Sequence, residues 1–525
     1  MSIFRKKFYK KLLNDKRDDH VHTPADSHLN EDQLKLTENL QENLDSIIQE
    51  FGHSSDFVSR KFIMGHPRSI YVVALYIEGL ANEDMVNELI THCHSLSLES
   101  AELLEIEENE KSYIENTFNL TREMVSTVGN VSVVTDYRNV LSSLLDGNTI
   151  LLFQGMNHGL IVSTLGSNYR AITEPTSETV VKGSKEGFIE SVSENTAIMR
   201  RRLKTGKLRV ERRKMGDLSN TDIAIMYIDG IVNDKVLDEV KERLNNINAE
   251  AILESNHIEE LIEEKRITLF PTVLSTERPD RLSRILTEGK IAIFVEGTPF
   301  ALVVPNVFPD FLKSTEDYTS RYSISSLIRI LRYITFHFSL FSSPIYIALI
   351  TYHQEIIPTH FLISLMAQRE GVPYPALIEA MLLEITFEIL REAGVRIPRA
   401  IGPTISIAGA LVIGDAAVSA GLVSPAMTII VALTAISNFT IPSYTLANTT
   451  RILRFSFMIV ASISGLFGVA LGYFIMMAHL CSLRSFGLHY LSPFAPFYLA
   501  GNKDAILRFP FSLLEKKKKA NTFKN

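Results

Sequence analysis

Four carboxylates lie in the most apolar part of this sequence, and their setting is one in which an acid can do chemistry. Asp415 stands alone in the stretch GALVIGDAAVSAGLVSP, because no other charged residue lies between Arg399 and Arg451. The preceding stretch PALIEAMLLEITFEILREAGVRIPR contains four glutamates, of which Glu379, Glu384 and Glu388 are the candidates. Carboxylates inside a membrane are costly and mark ion or proton pathways, and rings of them attract cations. We predict that these four acids line or gate a cation-conducting route.

The alternative for Asp415 is a structural one, in which the acid is paired with an arginine or kept protonated to fix helix packing. Five arginines flank the apolar segments and serve as candidate ion-pair partners or interface anchors, and they are Arg391, Arg396, Arg399, Arg451 and Arg454. Of these, Arg451 and Arg454 are the partners that we would expect for Asp415.

The glutamates are distributed over more than one side of a single predicted helix. Glu384 and Glu388 are one turn apart and share a face with Arg391, whereas Glu379 points nearly opposite. A helix with this pattern is too charged to face lipid all round, so it either lies at the interface or crosses the membrane inside a bundle or beside water. At most some of the glutamates can face a pore, and the pattern favours Glu384 and Glu388.

Small residues recur four apart beside these acids and on the last apolar segment. The candidate packing positions are Ala417, Gly421, Ser464, Gly468 and Gly472. Small side chains let helices approach closely, so these positions predict close helix packing within or between subunits.

The elements that carry these residues form a membrane domain by composition. Only fourteen of the residues from Tyr333 to Ala500 are Asp, Glu, Lys or Arg. Phe455 to Ala478 is an uncharged run of 24 residues, and a helix needs about 20 to span a bilayer. Tyr333 to Ile350 is a second candidate span, and the apolar residues from Ile401 to Thr450 predict two more, with helix breaks at Pro425 and Pro442. The glutamate-bearing helix makes the count four or five.

Arginines and lysines near these spans place the large N-terminal part on the cytoplasmic side. The lysines at 516–519 favour the same side. Five spans would place them on the other side, and the sequence leaves this conflict open.

The remaining chain predicts a soluble α/β or α+β domain, because short apolar runs bounded by Gly and Asn alternate with helical segments. VLSSLLDGNTILLFQG and LSRILTEGKIAIFVEG align without gaps, which predicts two related helix-and-hairpin subdomains. The predicted organisation is a basic tail and linker at 1–33, a helical N-terminal region at 34–135, an α/β soluble domain at 136–313, a membrane domain at 314–500 and a basic tail at 501–525.

Several functional classes are disfavoured by the residues present. The net charge of -7 excludes a basic nucleic-acid binder. No GxGxxG, GxxxxGK[ST], HExxH or GxSxG pattern occurs, so we expect no enzyme and no cofactor. His92 and His94 lack further ligands at metal spacing, so we expect no metal site.

Four blocks of the sequence carry a resemblance to a known family, and they are DYRNVLSSLLDGNTILLFQG, EPTSETVVKGSKEGFIESVSENTAIMRRRL, TYHQEIIPTHFLISLMAQREGVPYPALIEAMLLEITFEILREAGVRIPRAIGPTISIAGALVIGDAAVSAGLVSP and ALTAISNFTIPSY. Through these blocks the sequence resembles, from about Asp136 to Pro493, the A subunits of bacterial spore germinant receptors, the GerA family. Ser184 departs from the pattern, where a proline is expected. The first 120 residues resemble the family weakly.

The resemblance implies a multi-pass receptor subunit in the spore inner membrane. Such a subunit acts with a permease-like B subunit and a lipoprotein C subunit to sense nutrients and start germination. The A subunit would be the homo-oligomeric, ion-conducting component, opened when germinant binds the B subunit. A non-conducting scaffold and a secondary transporter are the alternatives, although no internal membrane repeat supports a transporter.

Overall fold

The structure, a computed structural model, describes residues 35–64, 69–99, 110–166, 174–175, 177–264, 267–396 and 412–510. It divides into two compact units. The first comprises residues up to Phe51 together with Phe57–Ser167, and the second comprises Gly52–Asp56 together with Asn168–Asn525.

The first unit is built on a five-stranded antiparallel sheet with the order β1-β2-β4-β5-β3. Its elements are α1 (Leu40–Phe51), β1 (Phe57–Met64), β2 (Ile70–Ile77), α2 (Glu83–Glu99), α3 (Glu110–Val125), β3 (Val131–Val134), α4 (Tyr137–Leu145), β4 (Thr149–Phe153) and β5 (Gly159–Val162). Leu89 of α2 and Phe118 of α3 are buried in one cluster with Val72 and Leu151 of the sheet, so the two helices cover one face. The boundary predicted at residue 135 therefore falls inside a single unit, because strands on both sides of it pair.

The second unit contains a sheet with the same topology. Its elements up to the last strand are α5 (Val192–Arg202), β6 (Leu208–Met215), β7 (Thr221–Ile228), α6 (Asp234–Asn245), α7 (Ser255–Ile262), β8 (Leu274–Thr276), α8 (Pro279–Thr287), β9 (Ile291–Val295) and β10 (Ala301–Val304). The strand order β6-β7-β9-β10-β8 repeats the order of the first sheet element by element. Gly147 and Gly289, which occupy equivalent places in the internal repeat, have φ angles of 88° and 89°. The prediction of two related subdomains is confirmed.

A helical region follows in the same unit. Its elements are α9 (Phe308–Phe311), α10 (Glu316–Thr319), α11 (Tyr322–Thr351), α12 (Thr359–Arg369), α13 (Ala376–Arg396), a π-helical turn (Val412–Ala416), α14 (Ala417–Ser419), α15 (Pro425–Phe439) and α16 (Tyr444–Ser482). Among the described residues, α11 and α16 are the two helices long and apolar enough to cross a membrane, and α15 is a shorter apolar helix. Pro425 lies in the first turn of α15, and Pro442 lies between α15 and α16.

The helix α16 is a hairpin rather than a rod. Gly465 in its middle has φ 62° and ψ -147°, a conformation that only glycine adopts readily. Thr449 before this point donates a hydrogen bond to the carbonyl of Leu269, and His479 after it is 3.0 Å from the Thr268 hydroxyl. Both arms therefore end at the same loop of the second sheet subdomain. The segment Phe455 to Ala478, which the sequence predicts as one span, reverses at Gly465 and contributes to both arms.

The chain after α16 returns to the second sheet subdomain. This segment contains β11 (Arg484–Ser485), β12 (Leu488–His489) and α17 (Leu499–Asn502). Ser485 donates to the Thr272 carbonyl at 2.9 Å, and the Phe308 amide donates to the Tyr490 carbonyl at 2.8 Å. The described chain after α16 thus packs against the second sheet subdomain. The lysines at 516–519 lie outside the described residues.

Candidate functional site: carboxylates and arginines among the apolar helices

The first carboxylate, Glu379, is fully buried near the start of α13. One of its oxygens accepts a hydrogen bond from the Ser424 amide at 2.7 Å and another from the Ser424 hydroxyl. Its second oxygen is 3.6 Å from Nε of Arg369, at the end of α12. Glu379 therefore ties the start of α15 to the α12–α13 connection.

The second carboxylate, Glu384, is also fully buried and forms an ion pair within the subunit. Its Oε2 atom accepts a hydrogen bond from Nη1 of Arg454 at 2.6 Å, and its Oε1 atom accepts one from the Ser343 hydroxyl at 3.2 Å. Arg454 in turn donates from Nε to the Ser339 carbonyl at 2.6 Å. Because Glu384 is buried away from solvent, an unpaired charge at this position would be costly, and the ion pair neutralises it.

The third carboxylate, Glu388, lies one turn further along α13. It accepts a hydrogen bond from Nη1 of Arg451 at 2.7 Å, while Arg391 approaches it to 3.9 Å. Its side chain keeps 27% of its surface exposed. Of the three carboxylates Glu379, Glu384 and Glu388, Glu388 is thus the one that has an arginine partner and is also partly exposed to solvent.

These contacts form a ladder of polar groups, defined here as Glu379, Glu384 and Glu388 with Arg369, Arg454 and Arg451. The ladder runs along one helix, α13, and links it to α11, α12, α15 and the first arm of α16. The prediction that Glu384 and Glu388 project together into a pore is wrong for Glu384, because this carboxylate is enclosed and faces Arg454 rather than water. The periodicity placed both residues on one side of α13, but it could not reveal that an arginine from another helix covers that side.

Asp415 has a different environment from the glutamates. It lies in the π-helical turn Val412–Ala416 and is exposed. No described residue forms an ion pair or hydrogen bond with it. The two arginines expected as its partners, Arg451 and Arg454, are engaged by Glu388 and Glu384 instead.

The remaining three predicted arginines, Arg391, Arg396 and Arg399, lie in three different environments. Arg396 forms an ion pair with Glu392 at 2.6 Å, and both side chains are largely exposed. Arg391 has its guanidinium 5.7 Å from the ring of Tyr444. Arg399 lies outside the described residues.

The small residues mediate close approaches inside one subunit. A Cβ atom on Gly472 would lie 2.7 Å from the ring of Phe457, which is on the other arm of α16. A Cβ atom on Gly468 would lie 2.8 Å from Cγ1 of Val460 and equally close to Cβ of Ser464. These residues therefore close the α16 hairpin, and the packing of this face is internal.

The other pair of small residues lies next to the α12–α13 connection. Gly421 has φ 68°, and a Cβ atom there would lie 3.2 Å from the carbonyl oxygen of Gly371. Ala417 is half-buried against the helical core. The backbone contact at Gly421 brings the segment after Asp415 against the end of the subunit that also holds Glu379.

Sequence reasoning missed the hydroxyl and arginine partners of the glutamates. Ser339, Ser343, Ser424 and Arg369 occur in apolar or loop sequence with no spacing that relates them to α13. The only signal was the presence of uncompensated charges in apolar helices, which requires partners without naming them.

Comparison with known proteins relates most of the chain to one family. Residues 45–520 match the model of the family described as "Bacillus/Clostridium GerA spore germination protein". The chain is 44% identical to spore germination protein KA of Bacillus subtilis (strain 168) over 484 residues, covering 92% of this chain and 86% of the relative. It is 42% identical to the uncharacterized membrane protein YfkQ of the same organism over 476 residues, covering 91% of this chain and 90% of the relative.

A solved structure is similar to part of the chain. It is the crystal structure of the N-terminal domain of the A subunit of the Bacillus megaterium spore germinant receptor GerK3, which is 37% identical in sequence. The similarity covers 52% of this chain and 97% of that domain, with a TM-score of 0.41.

Proposed function

Because this chain belongs to the GerA family of spore germination proteins, we propose that it is the A subunit of a nutrient germinant receptor in the spore inner membrane. In this proposal it is a multi-pass subunit that associates with a permease-like B subunit and a lipoprotein C subunit. Copies of the chain form a homo-oligomer that conducts cations when germinant binds the B subunit.

The observation that carries the conducting role is the exposure of Asp415. The glutamates of the ladder have partners within the subunit, whereas Asp415 has none among the described residues and faces outward. A bare carboxylate facing hydrocarbon is costly, so this surface is suited to water or to another subunit. Rotational symmetry would turn one exposed acid per chain into a ring of acids around an axis, and such a ring attracts cations.

The other predicted pore residues take different roles in this proposal. Glu379 and Glu384 hold helices together, since both are enclosed and hydrogen-bonded. Glu388 remains a candidate for the mouth of the route, because part of its side chain is exposed.

The decisive experiment is ion flux through the purified protein in liposomes, with and without the B and C subunits. Asp415→Asn keeps the shape and removes the charge, so it should reduce cation flux while leaving the amount of assembled protein nearly unchanged. Asp415→Leu should reduce flux further, because it also dewets the path. Glu392→Gln is the matched control, since Glu392 is an exposed acid already paired with Arg396.

The ladder itself supports a second candidate function, that of a non-conducting scaffold. Internally neutralised charges are what a scaffold requires, and they need no open path. Under this alternative the complete receptor would conduct no ions. Spores that carry either Asp415 variant would germinate like wild-type spores. Wild-type flux in both variants would likewise exclude Asp415 from the route.

A further inference from the structure

Two loops of the second sheet subdomain present the most exposed large apolar side chains of the described chain. Val181 is 97% exposed and Ile267 is 94% exposed. Single exposed apolar residues are common on protein surfaces, so exposure alone assigns nothing. What distinguishes these two is the location of their loops.

The loop of Ile267 contacts both arms of the α16 hairpin. The Leu269 carbonyl accepts a hydrogen bond from Thr449, and the Thr268 hydroxyl is 3.0 Å from Nε2 of His479. Leu269 is itself 47% exposed. Ile267 therefore lies beside the point where a pair of apolar helices leaves the sheet subdomain.

The loop of Val181 lies beside the other helix ends. The Val181 amide donates to Glu316 at 2.7 Å, and the next carbonyl, that of Lys182, accepts from the Thr319 hydroxyl at 2.9 Å. Glu316 and Thr319 belong to α10, immediately before α11. The preceding residue, Val180, lines a cavity together with Thr440 and Pro442, which connect α15 to α16.

We propose that Val181 and Ile267 insert into the polar–apolar interface of the lipid bilayer and seat the sheet subdomain on the membrane. Both side chains lie at the level where the apolar helices begin or end, so the interfacial region of the bilayer is their nearest apolar phase. Lys182, which is exposed next to Val181, is placed to meet anionic lipid headgroups. The loop of Val181 contacts α10, immediately before α11, and the loop of Ile267 contacts both arms of α16.

A third exposed side chain serves as a matched control. Leu218 is 77% exposed in the turn between β6 and β7. The loops with membrane-helix contacts flank β8, which is one edge of the sheet, whereas β6 is the other edge. Four strand spacings of about 4.8 Å separate these edges, so Leu218 should remain in water.

The test uses the full-length protein in nanodiscs that contain anionic phospholipid. Cys481, which is exposed, is replaced by serine, while Cys93 is buried and stays unlabelled. Single cysteines at Val181, Ile267 or Leu218 are then labelled with an environment-sensitive fluorophore. Quenching is measured with lipids that carry a nitroxide near the headgroup and with aqueous iodide.

We expect a blue-shifted emission and strong quenching by the nitroxide lipid at positions 181 and 267, with weak quenching by iodide. Position 218 should show the opposite pattern. Iodide quenching at 181 and 267 that equals the quenching at 218 would overturn the proposal. Protection from both quenchers would also overturn it, because the loops would then be covered by protein.

Charged variants provide a second measurement. Val181→Asp and Ile267→Asp should lower the Tm of the protein in nanodiscs relative to the wild type. In detergent micelles without anionic lipid, the loss of Tm should be smaller. Leu218→Asp should have no lipid-dependent effect. Equal losses in both environments would show that the side chains support the protein fold instead of a lipid contact.

Discussion

Glu384 of α13 and Arg454 of the first α16 arm form an ion pair, 2.6 Å between oxygen and nitrogen, with both side chains almost completely buried. Arg454 extends the connection to α11 through the Ser339 carbonyl. Three helices that are distant in sequence are therefore joined by one pair of opposite charges.

Removing one partner of this pair should destabilise the protein strongly. Glu384→Gln leaves the Arg454 guanidinium buried without its counter-ion, which costs about 3–5 kcal/mol. Replacing both residues with leucine should cost less than Glu384→Gln alone. Thermal unfolding in detergent of the single and double variants measures this difference. The exposed pair Glu392 and Arg396 is the control, and a Glu384→Gln protein as stable as Glu392→Gln would contradict the assigned role.

The α16 hairpin should be sensitive to side-chain size on its inner face. Gly468→Leu forces atoms into the space held by Val460 and Ser464, and overpacking of this kind costs about 1–3 kcal/mol. Ala470→Leu adds a similar group on the exposed face of the same arm and should be tolerated. The two variants are compared by the yield of folded protein and by the Tm of each. Equal behaviour would place Gly468 on an open surface.

The sheet subdomain should lose stability as the pH rises from 4.5 to about 7. Burial, followed by the charge of Glu263, raises the pKa of Glu259 to about 7 from its ordinary value of 4.5. A folded-state pKa above the unfolded value means that the stability is fully present below pH 4.5 and falls as the pH rises to about 7. Glu259→Gln should flatten this part of a Tm-against-pH curve. An unchanged curve in the variant would assign the dependence to other groups.

A second pH effect is expected at the junction of sheet and helices, with the opposite sign. Lys290 and Lys313 lie 2.6 and 2.8 Å from the Asp310 carboxylate. Although burial opposes ionisation, the two ammonium groups hold the pKa of Asp310 well below its usual range. Its contribution to stability is therefore present above the unfolded pKa of about 4 and is lost as the pH falls below that value.

Asp310→Asn should lower the Tm at neutral pH and weaken its dependence on acid. The exposed Asp238 on α6 supplies the control substitution, Asp238→Asn. If both variants had the same Tm at pH 7, the lysine contacts of Asp310 would contribute nothing measurable.

Much of the architecture can be predicted from the sequence, because buried faces of helices and strands produce periodic patterns of apolar residues. The paired blocks around Gly147 and Gly289 predicted two equivalent hairpins, and the apolar segments predicted helices with breaks at Pro425 and Pro442. Strands β1 and β3 were missed in a region predicted as helical, and β3 pairs with β5, which is distant from it in sequence. A pattern in one segment does not specify which other segment will pair with it.

The candidate site was predictable in its residue types and not in its contacts. The charges of Glu384 and Glu388 in an apolar helix indicated that both residues need partners. The spacing in the sequence did not show whether the side chain nearest to Glu384 would be Arg454 or another acid such as Asp415. The reversal at Gly465 was hidden as well, because a glycine in an apolar helix is compatible with a straight helix, a packing face or a turn.

The reversal at Gly465 also bears on how the chain enters a bilayer during synthesis. The first arm of the hairpin carries Arg451 and Arg454, Arg484 follows the second arm, and both arms contact the sheet subdomain at their ends. From Phe455 to Leu483 the hairpin carries no Asp, Glu, Lys or Arg, and the bend at Gly465 lies within this segment. A hairpin of this kind is suited to inserting both arms as a pair, with the two ends and their arginines on one side of a bilayer.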